Sequence, residues 1–462
     1  MAQVAAIAID VMLVAVAVLI AQGHTLVVGA DGGDYPTITA AVTAAAPGDT
    51  IRVRPGLYRE HLEITTPVTL LGDPGAVIYG GGTGIVVHVR ARATLNGFTI
   101  RASGDRLVTE DAGVMITAAD GTVIEGNVLE DVLFGVYVKE SDSVRIIDNV
   151  IEGKPLDVPR RGDGIRLWYS HFGSIEGNRL RRVRDLVIWF SNDTFVRRNR
   201  VRDSRYGLHF MYSHRNRFQD NEFLGNHVGG FLMYSSDITF HHNVFAHSRG
   251  ASGKGLAFKD TDRIEATANV MVKNAIGIAL DNSPTDRDAV NQFRGNLVAF
   301  NDVGVSLLPS VQRNHFVSNT FLDNVQPVAV SGGGSALRNA WRENYWSEYA
   351  GFDANDDARG DTPFRHDRLS DDLMAEHEGL RLYELSPATV VLNAVGRAFP
   401  LLQPEPVVID SSPRLDRRNE GTPNVPPDQT TRPSAPLGAA FAVLSVMSAF
   451  AARRWSRPRW RT

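Results

Sequence analysis

Residues 221–230 read Asn-Glu-Phe-Leu-Gly-Asn-His-Val-Gly-Gly. An Asn is followed by an apolar pair, a polar turn, and a glycine that opens a second apolar run. The unit recurs. Asn stands in the same setting at Asn127, Asn149, Asn178, Asn199, Asn221, Asn243, Asn269, Asn296, Asn319 and Asn344, mostly 21 to 27 residues apart. In five copies a glycine follows eight residues later, at Gly135, Gly207, Gly229, Gly277 and Gly304. Alternating apolar residues around these positions read as short strands joined by turns. A period of this length implies stacked units, none of which can bury its apolar face alone. The Leu-x-x-Leu-x-Leu frame of leucine-rich repeats is missing, and the strand residues are Val, Ile and Phe. The pattern predicts an all-β, right-handed parallel β-helix in which each coil advances about 4.8 Å. The Asn series is then an internal amide ladder, each side chain bonding the turn backbone of the neighbouring coil; a catalytic row of that length would be redundant.

A chain of 462 residues exceeds a usual single core, but a solenoid grows in one dimension and escapes that limit. The net charge of −4 argues against a nucleic-acid-binding surface. With no cysteine, thiolate metal ligation and a cysteine nucleophile are excluded. Residues 4–20 are apolar except for Asp10 and precede Ala21-Gln22-Gly23, so residues 1–23 read as a secretory signal peptide, although no Lys or Arg precedes the apolar run. Residues 24–370 are assigned to the β-helix. Residues 371–402 break the repeat: Ser386-Pro387 reads as an N-cap and first-turn proline, followed by a stripe of Val390, Val391, Ala394, Val395 and Ala398. That helix either caps the last coil or docks on a partner. Residues 403–436, rich in proline, read as a linker. Residues 437–462 read as a membrane anchor with a basic tail: Leu437–Ala452 is uncharged and is closed by Arg453, Arg454, Arg457, Arg459 and Arg461. At about 1.5 Å per residue this run is slightly short for a hydrocarbon core of about 30 Å. Its arginines place the tail in the cytoplasm and the repeat domain outside, tethered to the inner membrane.

The opening of the solenoid, with Tyr-Pro-Thr-Ile-Thr-Ala-Ala-Val from Tyr35 and Ala-Pro-Gly-Asp-Thr-Ile from Ala46, resembles the pectate-lyase-like superfamily. A short helix at 37–46 is expected to cap the stack there and cover its open strand edge. A more specific likeness lies further on. Arg-Gly-Asp-Gly-Ile-Arg-Leu-Trp-Tyr-Ser at 161–170, Ser-Arg-Tyr-Gly-Leu-His-Phe-Met-Tyr-Ser at 204–213, Gly-Gly-Phe-Leu-Met-Tyr-Ser at 229–235, Leu-Asp-Asn-Ser-Pro at 280–284 and Asn-Tyr-Trp-Ser-Glu-Tyr-Ala-Gly-Phe-Asp at 344–353 resemble the NosD family. The likeness spans roughly residues 30 to 410. It implies a periplasmic β-helix protein of nitrous oxide reductase maturation. The partners it implies are an ABC transporter ATPase and permease, a copper chaperone lipoprotein and the reductase. The linker and C-terminal anchor depart from that pattern.

Gly164, Asp185, Gly207 and Gly229 each stand four residues before Trp168, Trp189, Met211 and Met233, so these four residues should stack in one ladder. Leu208 and Phe210 follow the inward period of two, which turns His209 and Met211 outward. Cu(I) accepts thioether and imidazole ligands. Met211 and Met233 with His209 or His214 are therefore candidate ligands for transient Cu(I) binding. The other reading of the Met and Trp residues is an apolar docking patch, and the two are compatible. His227 and the cluster His241, His242 and His247 lie on neighbouring turns. Asp353, Asn355, Asp357 and Asp361 fall at positions 1, 3, 5 and 9 of a calcium loop, but Ala358 occupies the glycine position and no Glu follows at position 12; a solvated acidic turn is expected.

The rival function is a polysaccharide lyase or epimerase, for which Asp163, Arg166, Lys259, Asp260 and Asp262 supply possible parts. A carbohydrate-binding surface would use Trp168, Tyr169 and Trp189 as a platform. No Gly-x-x-x-x-Gly-Lys-Ser/Thr motif occurs, so any work from ATP comes from a partner. The sequence favours a non-catalytic adaptor.

Overall fold

The computed structural model describes residues 23–399, 401 and 404–417. Residues 1–22 of the expected signal peptide, most of the expected linker and all of the expected anchor at 437–462 lie outside the described residues. Among the described residues no helix is long and apolar enough to cross a membrane.

The chain winds into a parallel β-solenoid with three sheets of 12, 14 and 13 strands, here the first, second and third sheets. One coil runs through Tyr206–Met211, Arg217–Gln219 and Glu222–Leu224 before Val228–Met233 returns to the first sheet. Alternation decides what is buried: Leu208, Phe210, Phe218 and Phe223 point inward. Inside, rings of successive coils stack, as in Phe218 on Phe240 at 4.8 Å and Phe293 on Phe316 at 4.8 Å. Helix α1 (Ile38–Ala44) buries Ile38, Ala41 and Val42 at the first coil, and the Thr37 hydroxyl accepts from the Ala40 N–H at 3.2 Å.

The asparagine ladder has a defined direction. Each Oδ1 accepts the backbone N–H of the Asn one coil earlier, as from Asn199 to Asn221 and from Asn221 to Asn243, both 3.0 Å. Each Nδ2 donates to a main-chain carbonyl of the preceding coil, as from Asn221 to Val196 at 2.9 Å. The residue before every ladder Asn is left-handed, from Asp148 at φ 51° to Gly177 at φ 67°. For a non-glycine residue that conformation costs about 1–2 kcal/mol. Two or more buried hydrogen bonds per Asn, each contributing about 0.5–1.5 kcal/mol net, offset it. The recurring glycines answer a different need. They lie within strands of the first sheet, where a Cβ on Gly229 would sit 2.4 Å from the Gly255 carbonyl oxygen.

The C-terminal boundaries differ from those expected. The last coil ends with Tyr345–Trp346, not near 370. Phe364–His366 then pairs antiparallel with Val408–Asp410, and Phe364 stacks on Trp346 at 4.5 Å. Residues 404–417 thus begin as part of this cap, although their prolines suggested a linker from 403; the prolines flank the strand and leave its N–H groups free to pair. Asp410 closes the ladder: one carboxylate oxygen accepts from Asn344 N (3.0 Å), Asn344 Nδ2 (2.9 Å) and Trp346 Nε1 (3.1 Å). Helix α2 (Leu369–Glu376) lies against Gln326–Val330, and α3 (Pro387–Ala398) lies on α2. The side of α3 toward the fold carries Thr389 and Gly396. The expected stripe of Val390, Val391 and Val395 is exposed, so the hairpin, not this stripe, caps the last coil. In the acidic turn, Asp353 accepts from the N–H groups of Asp357 and Ala358, and Asp361 from that of Ala354; these carboxylates shape a turn.

Replacing Asp410 by Ala strands three buried donors, and unfolding in denaturant should show a loss of about 2–4 kcal/mol. Asp410→Asn, which keeps an acceptor, should recover most of it.

Candidate copper and docking face

The outward rung of the first sheet reads, coil after coil, Lys139, Trp168, Trp189, Met211, Met233, Lys259 and Asp281, all in direct register. Met211 and Met233 are therefore vertical neighbours, and both are partly exposed. His209 stands two residues before Met211 on the same outward side, in the rung Val187, His209, Phe231. Lysines bound the four-residue aromatic and thioether stretch at both ends.

His209 is held, not loose. It is 8% exposed, with Trp189 and Tyr206 edge-on to its ring at 4.9 and 5.0 Å. Its Nδ1 donates to Asp185 Oδ2 at 2.9 Å. A carboxylate can only accept, so a proton sits on Nδ1, and Nε2 is the ring nitrogen with which a ligand would have to be bound. Asp185 also accepts from Arg205 Nε at 2.9 Å and the Tyr206 N–H at 3.1 Å. Burial pushes the Asp185 carboxyl up, but the hydrogen bonds from His209 and Arg205 outweigh it and hold the group below the usual range. One coil earlier, Asp163 is fully buried and receives Arg184 at 2.9 and 3.2 Å. There burial prevails and raises the carboxyl. The Arg166 guanidinium lies over Tyr137, Trp168 and Trp189 at 4.8, 5.2 and 4.8 Å.

His214 is set apart from the methionine pair. It lies round the corner where the second sheet begins, and its Nδ1 accepts from the Ser236 N–H at 3.1 Å. Burial lowers its pKa. His241 and His242 stack on each other at 3.9 Å in the second sheet and the corner after it. Among the described residues no group of three or more His, Asp or Glu is placed to hold one ion.

The residue after each rung forms a second column. Tyr169, Phe190, Tyr212 and Tyr234 stack face to face, with centroids 4.7, 5.1 and 4.9 Å apart and planes within 13°. All four are left-handed, with φ of 47–53°, a conformation bulky residues seldom adopt; the same corner holds Glu140 and Asp260 in the flanking coils. Next comes a serine ladder: Ser170, Ser191, Ser213 and Ser235 each accept the N–H of the Ser one coil earlier at 3.0–3.1 Å. Spacing arguments missed both columns. The signal was the recurring Trp-Tyr-Ser, Trp-Phe-Ser, Met-Tyr-Ser and Met-Tyr-Ser. Because ring faces in this column cover one another, edges and hydroxyls meet solvent, which suits a protein contact better than a sugar ring. The residues considered for lyase chemistry are dispersed. Arg166 and Lys259 are four coils apart in the first sheet, about 19 Å. Asp163 is inside the buried ion network.

Asp185→Asn leaves Arg205 and His209 without their anion, so denaturant unfolding should show a loss of about 3 kcal/mol or more. Asp237→Asn, in an exposed pair with Arg263, should change stability by under about 1 kcal/mol.

The model of the NosD family, described as periplasmic copper-binding protein, matches residues 147–351. A probable ABC transporter binding protein NosD from Pseudomonas aeruginosa is 32% identical over 377 residues, 78% of this chain and 86% of that protein. A protein of the same description from Stutzerimonas stutzeri is 29% identical over 382 residues, 79% of this chain and 86% of its own length. Among solved structures, the A-module of the mannuronan C-5 epimerase AlgE6 from Azotobacter vinelandii superimposes with a TM-score of 0.52 at 17% identity, covering 66% of this chain and 93% of that module; the likeness is one of fold alone. With its solenoid and its sequence relatives in agreement, this chain belongs to the NosD family of periplasmic copper-binding proteins.

Proposed function

We infer that this protein is a non-catalytic periplasmic adaptor that receives Cu(I) on the Met211–Met233 rung and passes it on during maturation of nitrous oxide reductase, in a system driven by an ABC transporter. The observation that carries the reading is the in-register pair of thioethers beside a histidine whose Nδ1 is tied to a buried carboxylate. Soft sulfur and imidazole suit Cu(I), and a carboxylate on the far nitrogen orients a ligating imidazole. Two thioethers and one imidazole carry no charge, which favours a transient hold over a permanent one. His209 fits the third position better than His214, whose Nδ1 already accepts a backbone N–H. Copper is cargo here.

The transporter association rests on the relatives' description and on the exposed valines of α3, which suit docking on a permease. The copper chaperone lipoprotein and the reductase are the partners between which such a face would work. The aromatic column beside the rung supports a docking role for the same surface, since Tyr, Trp and Met are typical of protein interfaces.

Cu(I) affinity measured by competition with a chromogenic chelator should fall at least tenfold in Met211→Leu/Met233→Leu and in His209→Gln, and by much less in His214→Gln. An unchanged affinity in the double variant removes the copper assignment. Tyr212→Ser/Tyr234→Ser should leave that affinity intact while reducing co-purification with the transporter; full recovery of the complex would separate the column from docking.

A further inference from the structure

Charge is spread unevenly along the chain. Residues 160–217 hold 14 arginines, no lysine and five carboxylates, a net charge of +9 in a chain that totals −4. The solenoid winds this stretch into three successive coils, the ones that carry Trp168, Trp189 and Met211 on the first sheet. The arginines therefore surround them as a belt. Arg184 and Arg205 stand at the corner where the first sheet begins, held by the buried carboxylates of Asp163 and Asp185. Arg197 and Arg217 point outward on the second sheet. Arg179 with Arg200, and Arg181 with Arg202, form two outward rungs of the third sheet in direct register.

Local carboxylates answer only part of this charge. Glu176 pairs with Arg197, Asp193 with Arg215 and Asp203 with Arg181, while Glu152 and Glu222 of the adjoining coils reach Arg182 and Arg200. Arg160, Arg179 and Arg217 are exposed and make no ion pair among the described residues. The guanidinium is a planar fork that matches a carboxylate and gives up its water more readily than an ammonium. A belt that turns round three faces in a band about 14 Å tall suits a chain that wraps; a bilayer is flat and meets one face at a time. On the second sheet an open groove of about 540 Å³ runs beside it, lined by Phe195, Arg217 and Thr239, with Asp193 and Asp237 tied to Arg215 and Arg263. Positive charge gathered in this way steers an anionic partner toward these coils before contact. It also disfavours a free metal cation at the adjoining rung and favours one carried in by an anionic protein. That consequence rests on copper binding at the rung; the belt itself does not, and its test contains no metal.

We propose that the arginine belt is the docking site for an acidic segment of a partner protein, which wraps the three coils beside the Trp and Met rung. The probe is a fluorescein-labelled peptide of about twelve residues alternating Glu and Ala, about 40 Å long when extended. Its Lys-Ala counterpart is the control, and both are titrated with the full chain and followed by anisotropy. In about 20 mM salt the acidic peptide is expected to bind at least tenfold more tightly than the basic one, and about 0.5 M salt should abolish the difference. Arg160→Ser/Arg179→Ser/Arg217→Ser should weaken its binding at least fivefold, with Arg179→Ser and Arg217→Ser, on two different sheets, each causing part of the loss. Lys273→Ser/Arg287→Ser/Arg338→Ser removes the same charge from exposed residues elsewhere and should weaken it less than twofold. Equal losses in the two triple variants would reduce the effect to net charge. A basic peptide that binds as well would remove the acidic partner, and a loss confined to one of the two single variants would remove the wrapping. Phosphatidylglycerol vesicles that bind the native chain but not the first triple variant, with no binding of the peptide, would assign the belt to a membrane. Each of these four outcomes overturns the proposal.

Discussion

Hydrogen bonding between successive coils through buried asparagine side chains is the constraint on which the molecule depends. A coil with three tight corners must bury backbone N–H groups that no strand partner reaches, and an unsatisfied one costs about 1–3 kcal/mol. Asn127 through Asn344 supply the missing acceptors at one corner, serines at the next, and a second asparagine set, Asn274, Asn301 and Asn324, at the third. Because each ladder fixes its corner, the strands between can be very short, and their register repeats from coil to coil apart from local irregularities at Asp185/Val187 and Glu130/Val132. That repetition turns residues 22 apart in sequence, such as Met211 and Met233, into vertical neighbours.

The same constraint explains how much the sequence disclosed. The principal ladder was legible because an asparagine recurs in the same setting, just before an apolar pair, once in nearly every coil. The thioether rung was legible because side chains alternate in a strand, so Leu208 and Phe210 inside require His209 and Met211 outside. The aromatic column was not, because a left-handed corner is ordinarily read from Gly, Asn or Asp, and Tyr169, Phe190, Tyr212 and Tyr234 defy that preference. Stacking between neighbouring coils stabilises them there, a term that no single coil contains. The end of the solenoid was misplaced for a related reason. Asp410 lies 66 residues from the Asn344 it caps, and no periodic signal links a terminal residue to a ladder it only completes.

The outward face of the first sheet sets side chains of different freedom side by side. The pairs of Asp163 with Arg184 and of Asp185 with Arg205 and His209 stand near the starts of the strands whose ends carry the Trp and Met rungs. They fix the imidazole while leaving the methionines, which have three rotatable bonds, free to adapt. The carboxylates of Asp163 and Asp185 are buried while the two thioethers are partly exposed.

Asp410 has a consequence beyond closing the last corner. Parallel coils with matching rungs are the building plan of a fibre, and an exposed final coil would invite a second molecule to continue the pattern. The backbone N–H groups of the ladder asparagines all point the same way along the axis, toward the cap, where a group able only to accept meets the last of them. A carboxylate has nothing to donate onward. The stack therefore ends by chemistry as well as by obstruction, and a protein built like a filament remains a particle of fixed size.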